Sequence, residues 1–316
     1  MKPIPFFLSG AFATRSSVLS LLLGRVCNAF ATARSSILLL LITLSGLTIG
    51  LTPALAGGGW IPPAGSGFFK LGQNAIIADR FYQPDGTVVN IRTISLFTTS
   101  VYGEYGFTDR LAGVIYAPLF VRSTLNNVEY TSGRPTEAGD YVNSIGDVDV
   151  GLKYGLIKNG PVVVSIGLTL GLPLGESAGG ETTLLQTGDG EFNQLLTVEA
   201  SRSMGDFYAS ALLGVNNRTN NFSEEFRYGL EVGYSFNSKL LAQLRLYGVE
   251  SFKNGSGEGG GGNSIFANDT EFLSVTPEIA YGLTDRLGVT ANVGLALRGE
   301  KILANPNYGV GVYLRW

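Results

Sequence analysis

Along most of the chain, apolar and polar positions alternate with a period of two, the signature of strands with two unlike faces. Between Ser223 and Phe236, one face carries Phe226, Tyr228, Leu230, Val232, Tyr234 and Phe236. The other carries Glu225, Arg227, Gly229, Glu231, Gly233 and Ser235. Val148, Val150, Leu152 and Tyr154 oppose Asp147, Asp149, Gly151 and Lys153 in the same way, and Leu287 to Arg298 repeats the pattern. After Ala56 no segment keeps a 3.6-residue period over three turns. The pattern predicts twelve strands: 67–80, 89–106, 110–123, 145–157, 162–173, 192–203, 207–218, 223–236, 240–251, 271–283, 287–298 and 307–316. Short turns such as Phe107-Thr108-Asp109, Met204-Gly205-Asp206 and Thr284-Asp285-Arg286 alternate with longer loops at 81–88, 124–144, 174–191, 252–270 and 299–306; the link at 219–222 is the one short exception. An even strand count with short turns on one side and long loops on the other predicts an all-β fold, a transmembrane antiparallel up-and-down β-barrel of about 12 strands.

A soluble sandwich fits the pattern less well. Nearly every strand has a wide apolar face, whereas a sandwich core has limited volume. In lipid every backbone group must be paired, so the sheet has to close on itself. Tyr105, Phe107, Tyr154, Phe207, Tyr234, Phe236, Tyr281 and Trp316 lie beside the short turns, where an interfacial aromatic girdle belongs. The last strand alternates Tyr308, Val310, Val312, Leu314 and Trp316 outward, the form of tail handled by the outer-membrane barrel assembly machinery.

The N-terminus reads differently. Residues 1–56 hold Lys2, Arg15, Arg25 and Arg34 and no acid, then the apolar run Ile37 to Ile49, then Ala54-Leu55-Ala56. A basic flank, a short apolar core and an A-x-A end make a secretory signal peptide, here longer than the usual ~15–30 residues. Cys27, the single cysteine, falls inside it. Cleavage after Ala56 removes four bases and no acid from a chain of 316 residues and charge −3, leaving 260 residues at −7. Residues 57–66 are too rich in Gly and Pro for a strand and are expected as a periplasmic N-terminal segment, either tucked into the barrel as a small plug or hanging free. The barrel is expected over 67–316.

Composition narrows the function. Only 15% of residues are charged, and the chain has 44 glycines and no histidine. There is no basic stripe for nucleic acid. Without histidine there is no Ser-His-Asp triad and no His-ligated metal. Gly175-Glu176-Ser177-Ala178-Gly179 matches a nucleophile elbow but lacks the following helix and the His. Gly255 to Gly260 matches a dinucleotide fingerprint but runs on into Gly261-Gly262-Asn263 rather than a helix. Gly188-Asp189-Gly190-Glu191 offers too few oxygens for Ca²⁺ and reads as a turn. No enzyme, cofactor or metal site is expected.

Tyr105-Gly106-Phe107-Thr108-Asp109-Arg110-Leu111 returns as Tyr281-Gly282-Leu283-Thr284-Asp285-Arg286-Leu287, one hairpin solution used twice. These hairpins, with the strand Gly146-Asp147-Val148-Asp149-Val150-Gly151-Leu152-Lys153-Tyr154, resemble the outer-membrane transporter-like proteins linked to the meta-cleavage pathway of phenol degradation. The resemblance implies a barrel of similar size that passes small, often aromatic or hydrophobic compounds. It brings no catalytic or ligand residues with it.

With polar faces inward, the lumen or pore candidates are Asp147, Asp149, Lys153, Glu225, Arg227, Glu231, Arg245, Glu278 and Arg298, joined by Arg92, Tyr102, Glu104, Glu199, Tyr247 and Arg315. Mixed signs imply cross-strand pairing as well as selectivity. Asp147 and Asp149, near the outer end of one strand face, are the expected constriction for cations or polar solutes. The faces of 67–80, 89–106 and 110–123 stay ambiguous, because bulges can reset them. The expected function is a bacterial outer-membrane channel for passive uptake of small solutes, hydrophobic or aromatic ones included. Its partners are the membrane lipids, the assembly machinery and the solute. The alternative is a non-conducting barrel with a structural or adhesive role.

Overall fold

The computed structural model describes residues 58–130, 136–256 and 266–316. The expected leader over 1–56 and most of the Gly-rich run after Gly255 lie outside the described residues. Fourteen strands follow in chain order: β1 Gly67–Tyr82, β2 Val88–Gly106, β3 Leu111–Leu125, β4 Asp140–Ser144, β5 Val148–Ile157, β6 Val163–Leu172 and β7 Asn193–Met204. They continue as β8 Phe207–Arg218, β9 Glu225–Ser235, β10 Leu240–Ser251, β11 Glu271–Gly282, β12 Leu287–Glu300, β13 Ile302–Leu303 and β14 Asn307–Arg315.

All pairings are antiparallel, and β1 pairs with both β2 and β14, so the sheet closes. Two staves are interrupted. β4 pairs with the Val121–Leu125 half of β3 and β5 with the Leu111–Tyr116 half. β13 and β14 divide β1 likewise. The result is a closed twelve-stave antiparallel barrel.

The interruptions correct two expected loops, since 124–144 contains β4 and 299–306 contains β13. The first has a clear cause. Pro118 in β3 has no N–H to give its neighbour, so the ladder cannot run through it. Gly146 crosses at this point and donates to the Pro118 carbonyl at 2.9 Å. A Cβ on Gly146 would sit 2.8 Å from the proline ring, so only glycine passes. The expected strand from 145 therefore begins at Val148.

The alternation sets the two faces. Leu152, Leu168, Leu196, Leu213, Leu230, Ile279 and Val310 are exposed around the outside, far more apolar surface than a soluble monomer shows. All eight aromatic residues expected at the girdle are exposed at the short-turn end. Tyr105 meets Phe107 edge-on at 5.5 Å, and Tyr234 meets Phe236 at 4.9 Å. This is a transmembrane barrel with a lipid-facing belt.

The repeated hairpin makes one turn twice. Phe107 N–H donates to the Leu111 carbonyl, and the Thr108 hydroxyl accepts from the amides of Arg110 and Leu111 at 3.2 and 3.0 Å. Leu283, Leu287, Thr284 and Arg286 reproduce these bonds at 3.2 and 2.9 Å. At the third such turn Asn237 replaces Thr, its carboxamide oxygen accepting from Lys239 and Leu240.

Residues 58–66 form a strap across the short-turn mouth. Gly65 N–H donates to the Gly106 carbonyl, Gly106 N–H donates to the Ser66 carbonyl, and Ala64 N–H donates to Asp109. At the far side Gly59 N–H donates to Ser201 Oγ at 2.7 Å. Trp60 packs edge-on against Tyr208, 5.7 Å between centroids, in an apolar floor completed by Phe68, Leu241, Ala280 and Tyr313.

Candidate functional site

Above the floor, the described residues of the lumen line a lower and an upper chamber. The lower has a volume of ≈ 540 Å³ and is lined by Tyr102, Tyr116 and Tyr247 and by seven charged residues. Strand pairing brings these charges together. Lys70 on β1 meets Glu278 on β11 at 2.9 Å. Lys153 on β5 meets Glu199 on β7 at 3.0 Å. Arg245 on β10 meets its register partner Glu231 on β9 at 2.6 Å. Tyr208 also donates to Glu231, at 2.8 Å. The fourth carboxylate, Glu104 on β2, accepts a hydrogen bond from the Tyr102 hydroxyl. The wall can thus bind polar groups at several heights while presenting aromatic rings between them.

The upper chamber, ≈ 290 Å³, is lined by Asp147, Asp149, Asp189, Arg227, Asn193, Asn216 and Tyr116 among others. Arg218 organises its wall. This guanidinium reaches Asp189 at 3.1 Å, Glu191 at 2.6 Å and Glu225 at 2.7 Å, and stacks over the Phe222 ring at 4.5 Å. Arg227 adds a second bond to Glu225 at 2.7 Å. Asn216 bridges Asn193 and Glu225.

The loop between β6 and β7 reaches into this chamber and is held by two aspartates. Asp147, just before β5, accepts from the amides of Gly175 and Asp189 at 2.9 and 2.8 Å. Burial outweighs these bonds and pushes its carboxyl up to about 6. Asp140, at the start of β4 opposite Leu125, accepts from the Glu181 and Thr182 amides and the Thr182 hydroxyl. The Thr182 bonds lead in lowering its carboxyl to about 2. Ser177 of the elbow-like motif lies in this loop, its carbonyl taken by Gln186.

Eight of the nine lumen candidates therefore line the lumen or its wall: Asp147, Asp149, Lys153, Glu225, Arg227, Glu231, Arg245 and Glu278. Arg298 does not, and the expectation is corrected. β12 carries a bulge at Leu297, since Leu273 pairs with Arg298 but Ser274 with Ala296. The extra residue turns Arg298 to the lipid face at the long-loop rim, where it bonds Glu250 and the Tyr228 hydroxyl. Arg92 and Arg315 serve connections instead. Arg92 donates to the carbonyls of Asn126 and Ala138. Arg315 donates to Asp285 in a short turn.

Sequence reasoning passed over Lys70, Asp189, Glu191 and Arg218. Lys70 sits in Gly67–Tyr82, apolar on both faces, and only the spacing Lys70, Gly72, Asn74 marks the inner side. Asp189 and Glu191 were hidden in a Gly-rich turn.

No curated protein matches the chain. Among solved structures, an outer membrane channel from Pseudomonas putida F1 aligns with a TM-score of 0.55 at 11% identity, covering 85% of this chain and 100% of its own. NanC porin aligns at 0.48 with 10% identity, covering 78% and 100%. The first of these shows the fold. The family described as "Putative MetA-pathway of phenol degradation" matches residues 78–310, from within β1 into β14, and the chain belongs to that family.

Proposed function

We propose that this protein is a passive bacterial outer-membrane channel for small amphipathic solutes, aromatic compounds included. One observation carries the reading: a closed barrel encloses a chamber of ≈ 540 Å³ whose wall alternates tyrosine rings with ion pairs. That volume suits a small ligand, and rings beside polar groups suit an aromatic body with a polar substituent. The family's link to phenol degradation and the fold shared with a Pseudomonas putida outer membrane channel support it. Lipid surrounds the apolar belt, and the C-terminal strand ending in Trp316 engages the barrel assembly machinery after export by the leader. The long loops face outward and the strap faces the periplasm. Asp149 and Arg227 in the upper chamber set ion preference, and Asp147 holds the loop that narrows it.

The test is conductance in planar bilayers and solute entry into proteoliposomes. Discrete conductance, with phenol-sized solutes entering faster than disaccharides, is the expected result. Absence of both, in the full chain and in a chain lacking 57–66, refutes the channel. A second reading has one observation of its own: the strap lies over an apolar floor at the short-turn mouth, below a chamber wall held by three ion pairs. A structural or adhesive barrel would give that negative result.

A further inference from the structure

Two observations meet where the chambers join. The first is an unanswered carboxylate. Asp149 on β5 lines the upper chamber beside Asp147, Asp189 and Arg227. Asp147 accepts two backbone amides, and Asp189 pairs with Arg218. Arg227 gives both Nε and Nη2 to Glu225, at 3.0 and 2.7 Å, and attracts Asp149 without touching it. Among the described residues Asp149 has neither a hydrogen bond nor an ion pair. The described lining of this chamber holds three carboxylates and one guanidinium, so it supplies no second base. A partly buried carboxylate without a partner favours a cation from outside. The same wall carries a second orphan. Asn216 is fully buried and gives its Nδ2 to Asn193 and Glu225, but its Oδ1 accepts from no group among the described residues. Both acceptors lack a donor.

The second observation is aromatic. Tyr116 on β3 lines both chambers, so it stands at their junction. It is also the register partner of Asp149. Directly opposed residues of an antiparallel pair share a face, with Cβ atoms ~5 Å apart. Ring and carboxylate therefore lie side by side. Tyr247 on β10, in the lower wall, is near enough to feel the charges of Asp149 and Arg227. A ring face attracts a cation within about 6 Å of its centroid, and organic ammonium groups are bound in this way. A bare metal ion fits less well, because among the described residues no three acidic side chains converge to hold one.

We propose that this junction is a recognition site for an organic ammonium: the cation rests between the Asp149 carboxylate and the Tyr116 ring, with Tyr247 nearby, and its apolar body lies in the lower chamber. The solute class is thereby narrowed to small protonated amines on an aromatic or similar body. A neutral phenol leaves Asp149 unanswered. An anion meets the excess of carboxylates, which Arg227, engaged by Glu225, offsets little. The inference rests on the channel reading for the guest's route, and on the junction's own residues for its chemistry.

The test is titration calorimetry of the folded protein in detergent with three probes of similar size: phenethylammonium, 2-phenylethanol and phenylacetate. Phenethylammonium is expected to bind at least tenfold more tightly than either of the others. Equal, weaker or undetectable binding overturns the proposal. Asp149→Asn keeps the side chain's shape and is expected to lower phenethylammonium affinity at least tenfold. Tyr116→Leu is expected to lower it severalfold, whereas Tyr116→Phe leaves it within twofold, because the ring and not the hydroxyl meets the cation. Unchanged affinity in Asp149→Asn or Tyr116→Leu overturns the site. Glu104→Gln removes a carboxylate two residues nearer the short turn than Tyr102, the residue that pairs with Tyr116. It is expected to change affinity less than threefold. A loss as large as that of Asp149→Asn would mean that the lumen attracts cations by charge alone, and the site fails. Heat-modifiable gel mobility confirms that each variant folds, and the three probes on the parent decide the matter without any variant. A parent that binds phenethylammonium selectively yet passes no solute into proteoliposomes keeps this site and loses the channel. One that conducts but binds the three probes alike does the reverse.

Discussion

Lys153 Nζ lies 3.0 Å from Glu199 Oε2 and also donates to the carbonyl of Gly58, so one ammonium ties two staves to the strap. Both side chains are nearly buried, at 7% and 13% exposure. Breaking such a pair strands the remaining charge. Lys153→Met is expected to cost about 3–5 kcal/mol. Pairing it with Glu199→Leu is expected to recover much of that loss, because no charge is then left alone. Urea unfolding in micelles, followed by heat-modifiable mobility, measures both.

Arg298 and Arg245 make a matched pair for conduction. Arg298 stands on the lipid side of the Leu297 bulge, and Arg245 faces the lower chamber. Arg298→Ala is expected to leave single-channel conductance and reversal potential as in the parent. Arg245→Ala removes a lumen cation and is expected to shift the reversal potential toward cation preference. A shift from Arg298→Ala would mean that the bulge is misplaced.

The two aspartates that hold the β6–β7 loop respond to pH in opposite senses. Asp140 is lowered from 3.8 to about 2, so its contribution is present above pH ~4 and disappears as pH falls through 2. Asp147 is raised to about 6, so the folded state binds the extra proton. Its contribution is greatest in acid and is lost as pH rises through 6. Protection of the loop amides is therefore expected to peak near pH 4 and to fall on either side. Hydrogen exchange corrected for intrinsic rates reads it.

Arg218 serves three carboxylates at once, so its loss strands Asp189, Glu191 and Glu225 together. Arg218→Met is expected to cost about 3–5 kcal/mol and to open the 173–192 loop to protease. Arg218→Lys is expected to rescue little, because an ammonium lacks the planar fork that reaches three partners. Limited proteolysis with mass mapping distinguishes the variants.

Much of this was legible along the chain, and particular residues show where legibility stops. β9 stands out because Phe226, Tyr228, Leu230, Val232 and Tyr234 alternate without a break against Glu225, Arg227, Gly229, Glu231 and Gly233. β5 is shorter than the predicted 145–157 because the fault lies in another strand, at Pro118, and pairing is not written locally. Arg298 leaves its predicted face because a single-residue bulge changes no composition. The lumen candidates on regular strands fell inside because their periodicity is unbroken. Lys70 was missed where both faces are apolar. The ion pairs themselves depend on register between strands far apart in sequence, as with Lys70 and Glu278.

Because β1 bonds to β14 as well as to β2, the cylinder has a single seam, sewn by its first and last staves. Until residues 307–315 are in hand, the growing sheet carries two raw margins that would bond to any strand nearby. Folding into lipid must therefore wait for the whole polypeptide. A chain cut short before Asn307 is left with an unsewn cylinder, destined for aggregation or degradation rather than for a smaller pore.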